Sequence, residues 1–462
     1  MKRLNSSQLD YILFHLKQHV EIDEEWSILY HLPENLLPEN TKNTIVFPLS
    51  DDEINLNKTV DFMEKSIPIL FTISNEDKIY SLDKNGNIYF HHDILKSAFY
   101  LLSAYQESED VEMDEFGRFS YTNSIQKRLN ITTIPIVNYY FEMIIQGLEE
   151  YCKFHSLRFK RKRLFDQFGF FLSHDVDRVE FYHPREVAFK VKQMVGLAPL
   201  TYSYRSTFVL FIKGVIHILS PFKKKDPWWN FDWIIQLEKQ LNIRSTFFFL
   251  KQEHKNRDSR YQFSDNKIKS LINKLISQGF EVGLHGSFDS SNNPTMLKKQ
   301  ADELSSVLSH TPKGIRQHFL RFKTPDTFKH QIAAGLEYDC TLGFAEHDGY
   351  RNSYCYPFKP YDFEKNQMLD IWEIPLTMME VSMLNYRKKN LDELRLSVLH
   401  HIEEAKKFGG LFSLLWHNCR LMNEEYSGIE EFYPNLLKQI IQLGADSLTG
   451  EEIVNKITTK EI

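Results

Sequence analysis

The sequence has few cysteines and no long apolar runs, and both shortages narrow the possible classes of protein. Its 462 residues include four widely separated cysteines, Cys152, Cys340, Cys355 and Cys419, and no Cys-x-x-Cys pair. This spacing predicts neither a disulfide framework nor a cysteine-based zinc site. No apolar run approaches the roughly 20 residues of a membrane-spanning helix, and residues 1–20 lack the continuous apolar segment of a signal peptide. We therefore expect a cytoplasmic protein.

Basic residues are also fewer than acidic residues. The 56 Lys and Arg residues are outnumbered by 62 Asp and Glu residues, which gives a formal net charge of −6. A nucleic-acid-binding protein needs a basic surface to neutralise phosphates, so we expect no nucleic-acid partner. Aromatic residues are plentiful by contrast, with 36 Phe and 22 Tyr. Such a composition suits an enzyme that binds sugars or apolar groups.

The length of the chain predicts two domains, because one hydrophobic core seldom organises more than about 300 residues. Residues 1–165 combine the strand-like segments NTIVFPL and IPILFTI with the helical pattern DILKSAFYLLSAYQE. They contain no catalytic motif and end in the basic run RFKRKR at 158–163, which we interpret as a solvated connector. We predict a smaller N-terminal α/β domain of accessory role over 1–165 and a second domain over 166–462.

The second domain alternates short apolar runs with helical segments. The predicted strands are FGFFLS, STFFFL, FEVGLHG, GIRQHF, YDCTLGF, LDIWEIPLT and GLFSLLWHN, and amphipathic stretches such as NKIKSLINKLISQ lie between them. This alternation is typical of an α/β fold with a parallel sheet and crossover helices. It predicts a barrel or a doubly wound sheet, in which functional side chains gather at the carboxyl ends of the strands.

An insertion at about 181–230 interrupts this alternation. It contains the apolar segment FVLFIKGVIHIL, which at twelve residues (208–219) is too short to cross a membrane. One interpretation is a helix that lies on a membrane surface and makes contact through 208–230. Its anchors would be Lys223, Lys224, Lys225, Trp228 and Trp229. A helix packed on the barrel is the other interpretation, and we favour it.

Two carboxylates follow the first predicted strand of the second domain. In SHDVD, Asp175 and Asp177 are two residues apart, so they share a face if the strand continues through them. Neighbouring carboxylates at the end of a buried strand are costly unless a cation or a proton compensates their charge. The pair predicts a metal site or an acid–base site, and an exposed turn with a helix-capping Asp is the alternative.

The next polar strand edge, EVGLHGSFDS, contributes His285 and, four residues later, Asp289. Asn293 and Pro294 follow, with the pattern of a helix N-cap and a first helical residue. Histidine with carboxylates is a common ligand set for a divalent metal. A single His after a strand is more often structural, but its position one sheet element after the Asp pair favours a metal site.

Five segments of this domain resemble, in their order, the motifs of the polysaccharide deacetylases, the carbohydrate esterases with NodB homology (carbohydrate esterase family 4). They are SHDVD, HGSFDS, GIRQHFLRF, LDIWEIPLT and LFSLLWHN, and the resemblance extends over roughly 168–420. It implies a distorted (β/α) barrel of seven or eight strands and one divalent metal, either Zn or Mn, Fe or Co. Residues 1–165 lie outside it and are similar to the accessory region of some bacterial members from glycan-biosynthesis loci.

The resemblance also implies a role for each matching residue. Asp175 is expected as the general base, His417 as the general acid and Arg316 as the residue that orients the base. Asp177 and His285 are expected as metal ligands. These roles are carried over from the family and do not follow from the spacing alone.

One position departs from the family pattern. The family has a second His four residues after the first, where this sequence has Asp289. We expect Asp289 to be the third metal ligand, and a set of one His and two carboxylates favours Mn, Fe or Co more than a nitrogen-rich set does. Phe319 matches the aromatic residue that lines the sugar site in the family, so we expect it to bind substrate.

A segment dense in aromatic residues, TLGFAEHDGYRNSYCYPFKPYDF at 341–363, lies between the third and fourth motif segments. We interpret it as a long loop over the site, in which aromatic rings stack on sugars and Arg351 binds a carboxylate or phosphate of the substrate. A loop that merely packs on the barrel is the alternative. The adjacent His400 and His401 are interpreted as incidental, because no carboxylate partner is evident.

These patterns and the resemblance together predict a metal-dependent hydrolase. It would remove an acetyl or other acyl group from an N-acylated amino sugar in a surface polysaccharide or its precursor, so a carbohydrate is the expected partner. Two alternatives stay open: a deformylase or other amidohydrolase that acts on a lipid-linked sugar, and a non-catalytic glycan-binding protein with the same fold. The presence of all the matching residues favours an enzyme over the last alternative.

Overall fold

The computed structural model describes residues 3–22, 28–30, 44–50, 53–73, 77–108, 112–200, 203–220, 225–254 and 257–461. For 28–30 and 460–461 it describes the backbone alone. Lys223 and Lys224, two of the predicted membrane anchors, lie outside these ranges.

The first 165 residues form small sheets and helices. The strands are β1 (Val20–Ile22), β2 (Ile28–Tyr30), β3 (Ile45–Phe47), β4 (Thr59–Phe62), β5 (Lys65–Pro68), β6 (Tyr80–Leu82), β7 (Ile88–Phe90) and β8 (Phe159–Arg161). The helices are α1 (Ser6–Leu16), α2 (Ile94–Leu102), α3 (Tyr105–Ser108), α4 (Ile125–Arg128) and α5 (Ile136–His155). Strands β2, β3, β7 and β6 form a sheet in that order, β4 pairs with β5, and β1 pairs with β8. The helix predicted from DILKSAFYLLSAYQE is present as α2 and α3.

The remaining residues form the larger part of the fold. The strands are β9 (Phe168–Val176), β10 (Ser245–Leu250), β11 (Glu281–Gly286), β12 (Gly314–Gln317), β13 (Tyr338–Asp339), β14 (Tyr361–Asp362), β15 (Gln367–Met368), β16 (Trp372–Glu373), β17 (Met378–Met379), β18 (Leu411–Leu415) and β19 (Ala445–Ser447). The helices are α6 (Pro184–Met194), α7 (Tyr204–Leu219), α8 (Phe231–Gln240), α9 (Asn266–Ser277), α10 (Pro294–Leu308), α11 (Asp326–Ala334), α12 (Leu391–Phe408), α13 (Ile429–Gln442) and α14 (Gly450–Glu461). Short 3₁₀ turns follow β11, β12 and β18, at Ser290–Asn292, His318–Leu320 and Asn418–Arg420.

A curled parallel sheet organises this larger part. Its order is β16, β13, β12, β11, β10, β9, β18, β17, and β19 pairs with the first residues of β9. Every pairing in the sheet is parallel among the described residues. Helices connect most of the strands, the pair β14–β15 lies between β13 and β16, and the eight strands of the main path curl into a half-barrel. The predicted distorted (β/α) barrel is confirmed.

The sequence explains why the central strands lie in the middle of the molecule. All residues of β9, β10 and β18 are buried, which is the pattern of parallel strands covered on both faces. The predicted N-cap of α10 is confirmed, because the Asn293 side chain accepts a hydrogen bond from the Met296 N–H and Pro294 opens the helix. Because the strands are parallel, their carboxyl ends lie at one rim of the sheet.

The insertion predicted at about 181–230 contains the helices α6 and α7, which pack against each other. Leu210 of α7 is buried with Phe181 and Trp228 in a small apolar cluster. Within the described ranges, no helix combines the length and apolar composition that a bilayer crossing requires.

The aromatic-rich segment packs mainly against the N-terminal region. Tyr354, Tyr356 and Phe358 share an apolar core with Tyr139 and Phe141 of α5. The rings of Phe141 and Tyr354 meet edge to face at 5.8 Å. Most of the segment is therefore a packing element, as in the alternative interpretation, but it packs mainly against the N-terminal region and not on the barrel as that interpretation predicted.

Arg351 is part of this packed segment and does not bind substrate in the predicted way. Its Nε and Nη2 donate hydrogen bonds to the two carboxylate oxygens of Glu107 in α3, at 2.8 and 2.7 Å. Its Nη1 donates to the Gly343 carbonyl oxygen at 3.2 Å. Only 2% of the Arg351 side chain and 4% of the Glu107 side chain are exposed. The prediction of Arg351 as a substrate-binding residue is wrong, because a buried ion pair already uses its donors.

His401 is also more than incidental. Its Nε2 lies 2.9 Å from Asp348 Oδ2, and both side chains are fully buried. The prediction that this histidine has no carboxylate partner is wrong, since the partner comes from the aromatic-rich segment.

We expect Glu107→Gln to lower the free energy of unfolding by about 3–5 kcal/mol, because it leaves the buried Arg351 charge without its counter-ion. Denaturant unfolding measures this change. Glu149→Gln is the matched control: Glu149 pairs with Arg161 at 2.7 Å but 51% of its side chain is exposed, and such pairs contribute about 0–1 kcal/mol. Equal losses in the two variants would contradict a special role for the buried pair.

Candidate active site

The carboxyl ends of four strands bring the predicted polar residues together. Asp175 lies near the end of β9 and Asp177 just beyond it, His285 lies near the end of β11, and His417 follows β18. In the pairing of β11 with β12, His285 is in register with Arg316. All five residues therefore gather at one edge of the sheet, as the strand-edge rule predicts.

Asp177, His285 and His318 form a group that could hold a metal ion, since one ligand atom from each lies within 4.8 Å of the others. His285 Nε2 is 3.3 Å from Asp177 Oδ1, and His318 Nε2 is 3.7 Å from Asp177 Oδ2. Two imidazoles and one carboxylate are a ligand set of catalytic zinc sites and of non-haem iron sites.

The orientation of His285 leaves its Nε2 available as a ligand. Its Nδ1 lies 2.8 Å from the Arg316 carbonyl oxygen, which can only accept, so Nδ1 carries the proton. In the neutral ring, Nε2 then presents a lone pair toward Asp177 Oδ1, which is buried and forms no hydrogen bond with any described residue. Two electron-rich atoms facing each other at 3.3 Å repel unless a cation lies between them. These two atoms therefore fit a metal ion.

His318 is oriented by a second carboxylate. Its Nδ1 lies 3.2 Å from Asp258 Oδ1, and Asp258 also accepts hydrogen bonds from the backbone N–H groups of Phe288 and His254. Such a carboxylate–histidine contact directs the other ring nitrogen toward a metal. Burial lowers the pKa of His318, but Asp177 and Asp258 outweigh burial and raise it to about 9. The surroundings thus stabilise a positive charge beside Asp177, which a divalent cation supplies when it replaces that proton.

Asp175 lies beside the metal-binding group and is held by Arg316. Nη1 of Arg316 donates to Asp175 Oδ1 at 3.0 Å and to Ser173 Oγ at 2.8 Å. The side chains of Asp175 and Arg316 are buried, with 3% and 0% exposed. The other carboxylate oxygen, Oδ2, lies 3.5 Å from His285 Nε2 and 4.0 Å from His417 Nε2. Arg316 therefore fixes the orientation of Asp175 and leaves Oδ2 directed into the site.

His417 also lies beside Asp177 and is held by Glu380. Its Nδ1 lies 2.6 Å from Glu380 Oε1, which also accepts the His417 backbone N–H at 3.1 Å. Its Nε2 lies 3.6 Å from Asp177 Oδ2. Burial lowers the pKa of His417, but Glu380, Asp177 and Asp175 outweigh burial and raise it to about 9. Glu380 thus favours the protonated ring.

These groups line a cleft of about 420 Å³ that also contains Phe319, a volume suited to a small ligand. Phe319 has a backbone φ of 61°, a left-handed conformation that is uncommon for a bulky residue and clusters at functional sites. The N-terminal region supports this conformation. Phe116 packs 5.2 Å from the Phe319 ring, and Arg118 Nη1 donates to the Phe319 carbonyl oxygen at 3.0 Å. Arg118 itself lines the cleft.

Asp289 is not brought to the metal-binding group. Its side chain is 54% exposed, and its Oδ1 lies 3.5 Å from Arg321 Nη1. The preceding residue, Phe288, is buried 5.4 Å from the Phe319 ring, so the next side chain projects into solvent. The prediction of Asp289 as the third ligand is therefore wrong, and His318 is the third residue of the group that could hold a metal ion.

Three residues of the site, His318, Asp258 and Glu380, were not predicted from the sequence. His318 follows β12 in GIRQHF, two residues after Arg316, so the strand-edge rule used for the other residues applied to it as well. Glu380 comes directly after β17, a two-residue strand that the sequence pattern did not show. Asp258 lies in the segment after β10, where no local pattern distinguishes it from other acidic residues.

In comparisons with known proteins, the N-terminal part of the chain matches a family model, and the fold resembles solved structures of low sequence identity. Residues 5–153 match a family model described as "Family of unknown function (DUF7033)". No curated protein matches the chain.

Solved structures that resemble the chain include a Mycobacterium smegmatis protein described as a polysaccharide deacetylase (11% identity, TM-score 0.40, 64% of this chain and 92% of that chain). Others are the peptidoglycan deacetylase PdaC from Bacillus subtilis (10%, 0.33, 64% and 94%) and a CE4 family pseudoenzyme from Bacillus anthracis (10%, 0.33, 63% and 66%). Their names agree with the family that the five sequence segments resemble. At these identities and TM-scores the likeness carries no argument about activity, which depends on the site itself.

We expect His318→Ala to lose most of its bound metal and Asp289→Ala to keep it, because of these two residues only His318 faces Asp177. Elemental mass spectrometry measures metal content after mild chelation and re-addition of Zn, Mn, Co or Fe. The wild type is expected to hold about one equivalent. Asp258→Asn should weaken metal affinity by about 10–100-fold, since Asp258 orients His318. Retention of metal by His318→Ala together with its loss from Asp289→Ala would restore the ligand set predicted from sequence.

Proposed function

We propose that this chain is a metal-dependent hydrolase that removes an acyl group, such as acetyl, from the nitrogen of an amino sugar. The observation that supports this function is a single cleft that contains a metal-binding group, a separately held carboxylate and a separately held imidazole. Hydrolysis of an amide needs these three parts: a Lewis acid, a base for water and an acid for the departing amine.

The residues around the cleft divide this chemistry among them. When bound, the divalent cation polarises the amide carbonyl and makes water a better nucleophile. Asp175 Oδ2 takes the proton of the attacking water, because Arg316 occupies Oδ1. His417 donates a proton from Nε2 to the amine nitrogen as the carbon–nitrogen bond breaks. Glu380 accepts from Nδ1–H, so the transferable proton lies on the ring nitrogen that faces Asp177.

The ligand set and the lining of the cleft support the choice of metal and substrate. Two imidazoles and one carboxylate favour zinc more than the predicted set of one imidazole and two carboxylates does. Phe319, Phe181 and Trp228 line the cleft, and aromatic rings stack on the apolar faces of sugars. We propose a carbohydrate substrate that belongs to a surface polysaccharide or its precursor.

A non-catalytic glycan-binding protein is the weaker candidate. Asp289 stands where the family has a ligand histidine, and His318, in the group that could hold a metal ion, offers an imidazole in its place. A deformylase on a lipid-linked sugar uses the same base, acid and metal, because a formamide differs from an acetamide only in its acyl group. The two hydrolases share the proposed chemistry and differ in substrate.

Asp175→Asn tests the proposed base. We expect kcat on N-acylated amino sugars to fall by more than about 100-fold, while about one equivalent of metal stays bound because Asp175 is outside the ligand group. Product amine and bound metal are measured on the same preparation. Asp326→Asn, at a partly exposed position that opens α11, is the control and should leave turnover unchanged. Full activity in Asp175→Asn would exclude Asp175 as the base. The proposed function would be contradicted if the metal-loaded wild type hydrolysed none of the N-acylated amino sugars.

Glu380→Gln tests the positioning of the acid. Because Glu380 raises the pKa of His417, its loss should lower that pKa and move the alkaline limb of the kcat profile to lower pH. Loss of the orienting carboxylate should also lower kcat by at least about tenfold. Glu425→Gln, a change of the same kind in the same cleft, should do neither. If the alkaline limb of Glu380→Gln stayed at the pH of the wild type, the ionisation that this limb measures would not be that of His417.

A further inference from the structure

The proposed function leaves the hairpin of α6 and α7, residues 184–200 and 203–220, unexplained. Across the described ranges, 21 large apolar side chains are exposed, and twelve of them belong to this hairpin. The most exposed, at 50% to 77%, are Leu197, Leu219, Val195, Ile216, Tyr204 and Phe208. Single exposed apolar side chains are ordinary, but a cluster of this size marks an interaction surface.

Helix α7 has two apolar faces. Its inner face buries Thr207, Leu210 and Gly214. A Cβ atom at Gly214 would lie 2.6 Å from Val187 Cγ2, so this glycine allows α7 to pack closely on α6. The outer face presents apolar side chains at four-residue spacing, Tyr204, Phe208, Ile212 and Ile216. A surface helix normally turns only one apolar stripe toward the core, and here the second stripe faces outward.

The charge of the hairpin is positive, in contrast to the chain as a whole. Its exposed charged residues are Arg185, Lys192, Arg205 and Lys213, of which Lys213 lies 3.2 Å from the exposed Glu424, whereas the chain carries a net charge of −6. The one acidic residue among 184–220, Glu186, is buried and pairs with Arg260 at 2.7 Å. An apolar surface with basic residues around it is complementary to an anionic lipid surface.

The hairpin is also continuous with the cleft. Phe189 and Lys190 of α6 line the cleft, together with Trp228 beneath the hairpin. A flat anionic surface in contact with α6 and α7 therefore lies beside the cleft opening. A second copy of this chain fits less well, because a two-fold contact through this face would bring the same basic residues together.

We propose that the α6–α7 hairpin binds the surface of an anionic lipid bilayer. The outer apolar side chains enter the headgroup region, and the basic residues contact lipid phosphates. The cleft then opens at the membrane, where a sugar carried on a membrane lipid reaches it. The sequence-based preference for a helix that only packs on the barrel accounts for the inner face of α7 and leaves its outer face without a partner.

Co-sedimentation with vesicles tests the proposal on the full chain. We expect wild type to bind vesicles of phosphatidylglycerol and phosphatidylcholine, and to bind pure phosphatidylcholine vesicles more weakly. Phe208→Glu combined with Ile216→Glu should reduce binding to the anionic vesicles by at least about tenfold, because it places charge on the outer face. Lys192→Gln, Arg205→Gln and Lys213→Gln together should reduce it by about 100-fold.

Leu396→Glu is the matched control, because Leu396 is 59% exposed on α12 and lies outside the hairpin; it should bind vesicles as wild type does. Metal content and hydrolysis of a water-soluble N-acylated amino sugar, measured in parallel, should be unchanged in all hairpin variants. Failure of the proposed function thus appears in the hydrolysis assay and failure of the docking proposal in the vesicle assay. Three results would each overturn the docking proposal. The wild type could stay in the supernatant, or the hairpin variants could bind vesicles as strongly as the wild type does. The third result is a wild-type dimer that binds no vesicles and that Phe208→Glu with Ile216→Glu makes monomeric.

Discussion

The site is organised by two carboxylates that need positive charge at the buried end of one strand. Asp175 and Asp177 emerge from β9, all of whose residues are buried, and charges in such surroundings require compensation. The structure compensates them separately. Arg316 pairs with Asp175 at 3.0 Å, whereas burial raises the pKa of Asp177 and the facing His318 outweighs burial and holds it well below its ordinary value. One carboxylate is thus fixed by a permanent cation, and the other is left for an exchangeable one.

The acceptors behind the three imidazoles decide what each ring can do. A carbonyl oxygen behind His285 and a carboxylate behind His318 both hold Nδ1–H and direct Nε2 toward Asp177. The carboxylate behind His417 holds Nδ1 of a third ring, whose Nε2 lies 3.6 Å from Asp177 Oδ2. The same contact can support a metal ligand or a proton donor. Which ring is a metal ligand and which is a proton donor therefore depends on which ligand atoms lie close together. Those of Asp177, His285 and His318 lie within 4.8 Å of one another, so these two imidazoles are the candidate ligands.

Two kinds of sequence signal predicted the residues at the rim of the sheet. The carboxyl ends of parallel strands meet at one rim, so Asp175, Asp177 and His285 could be grouped from the strand pattern, whereas Arg316 and His417 were expected there from the resemblance to the deacetylase motifs. The rule does not extend beyond the strand end, where the direction of a side chain depends on local turns. Asp289 illustrates this limit, because the burial of Phe288 turns the next side chain into solvent.

Residues in connecting segments were predictable only in part, since their partners come from distant parts of the chain. An arginine among aromatic residues suits a sugar site and a packed core equally well, and the choice for Arg351 is made by Glu107, 244 residues away. Glu380 and Asp258 likewise gain their roles only through contact with His417 and His318. The sequence pattern of the barrel carries no information about such pairings.

Part of the cleft wall comes from outside the barrel strands, whereas the candidate reactive groups lie at or near the strand ends. Asp175 and His285 are placed by strand register within one sheet, and Asp177, His318 and His417 lie within two residues of the strand ends. Other parts of the cleft wall come from outside the sheet: Arg118 comes from the N-terminal region, and Phe189 comes from the helical insertion. Because function resides in sites and loops that a fold carries, these walls can change with the substrate while the reactive groups stay in place. The N-terminal region is therefore part of the cleft, since it supports the left-handed conformation of Phe319 through Arg118.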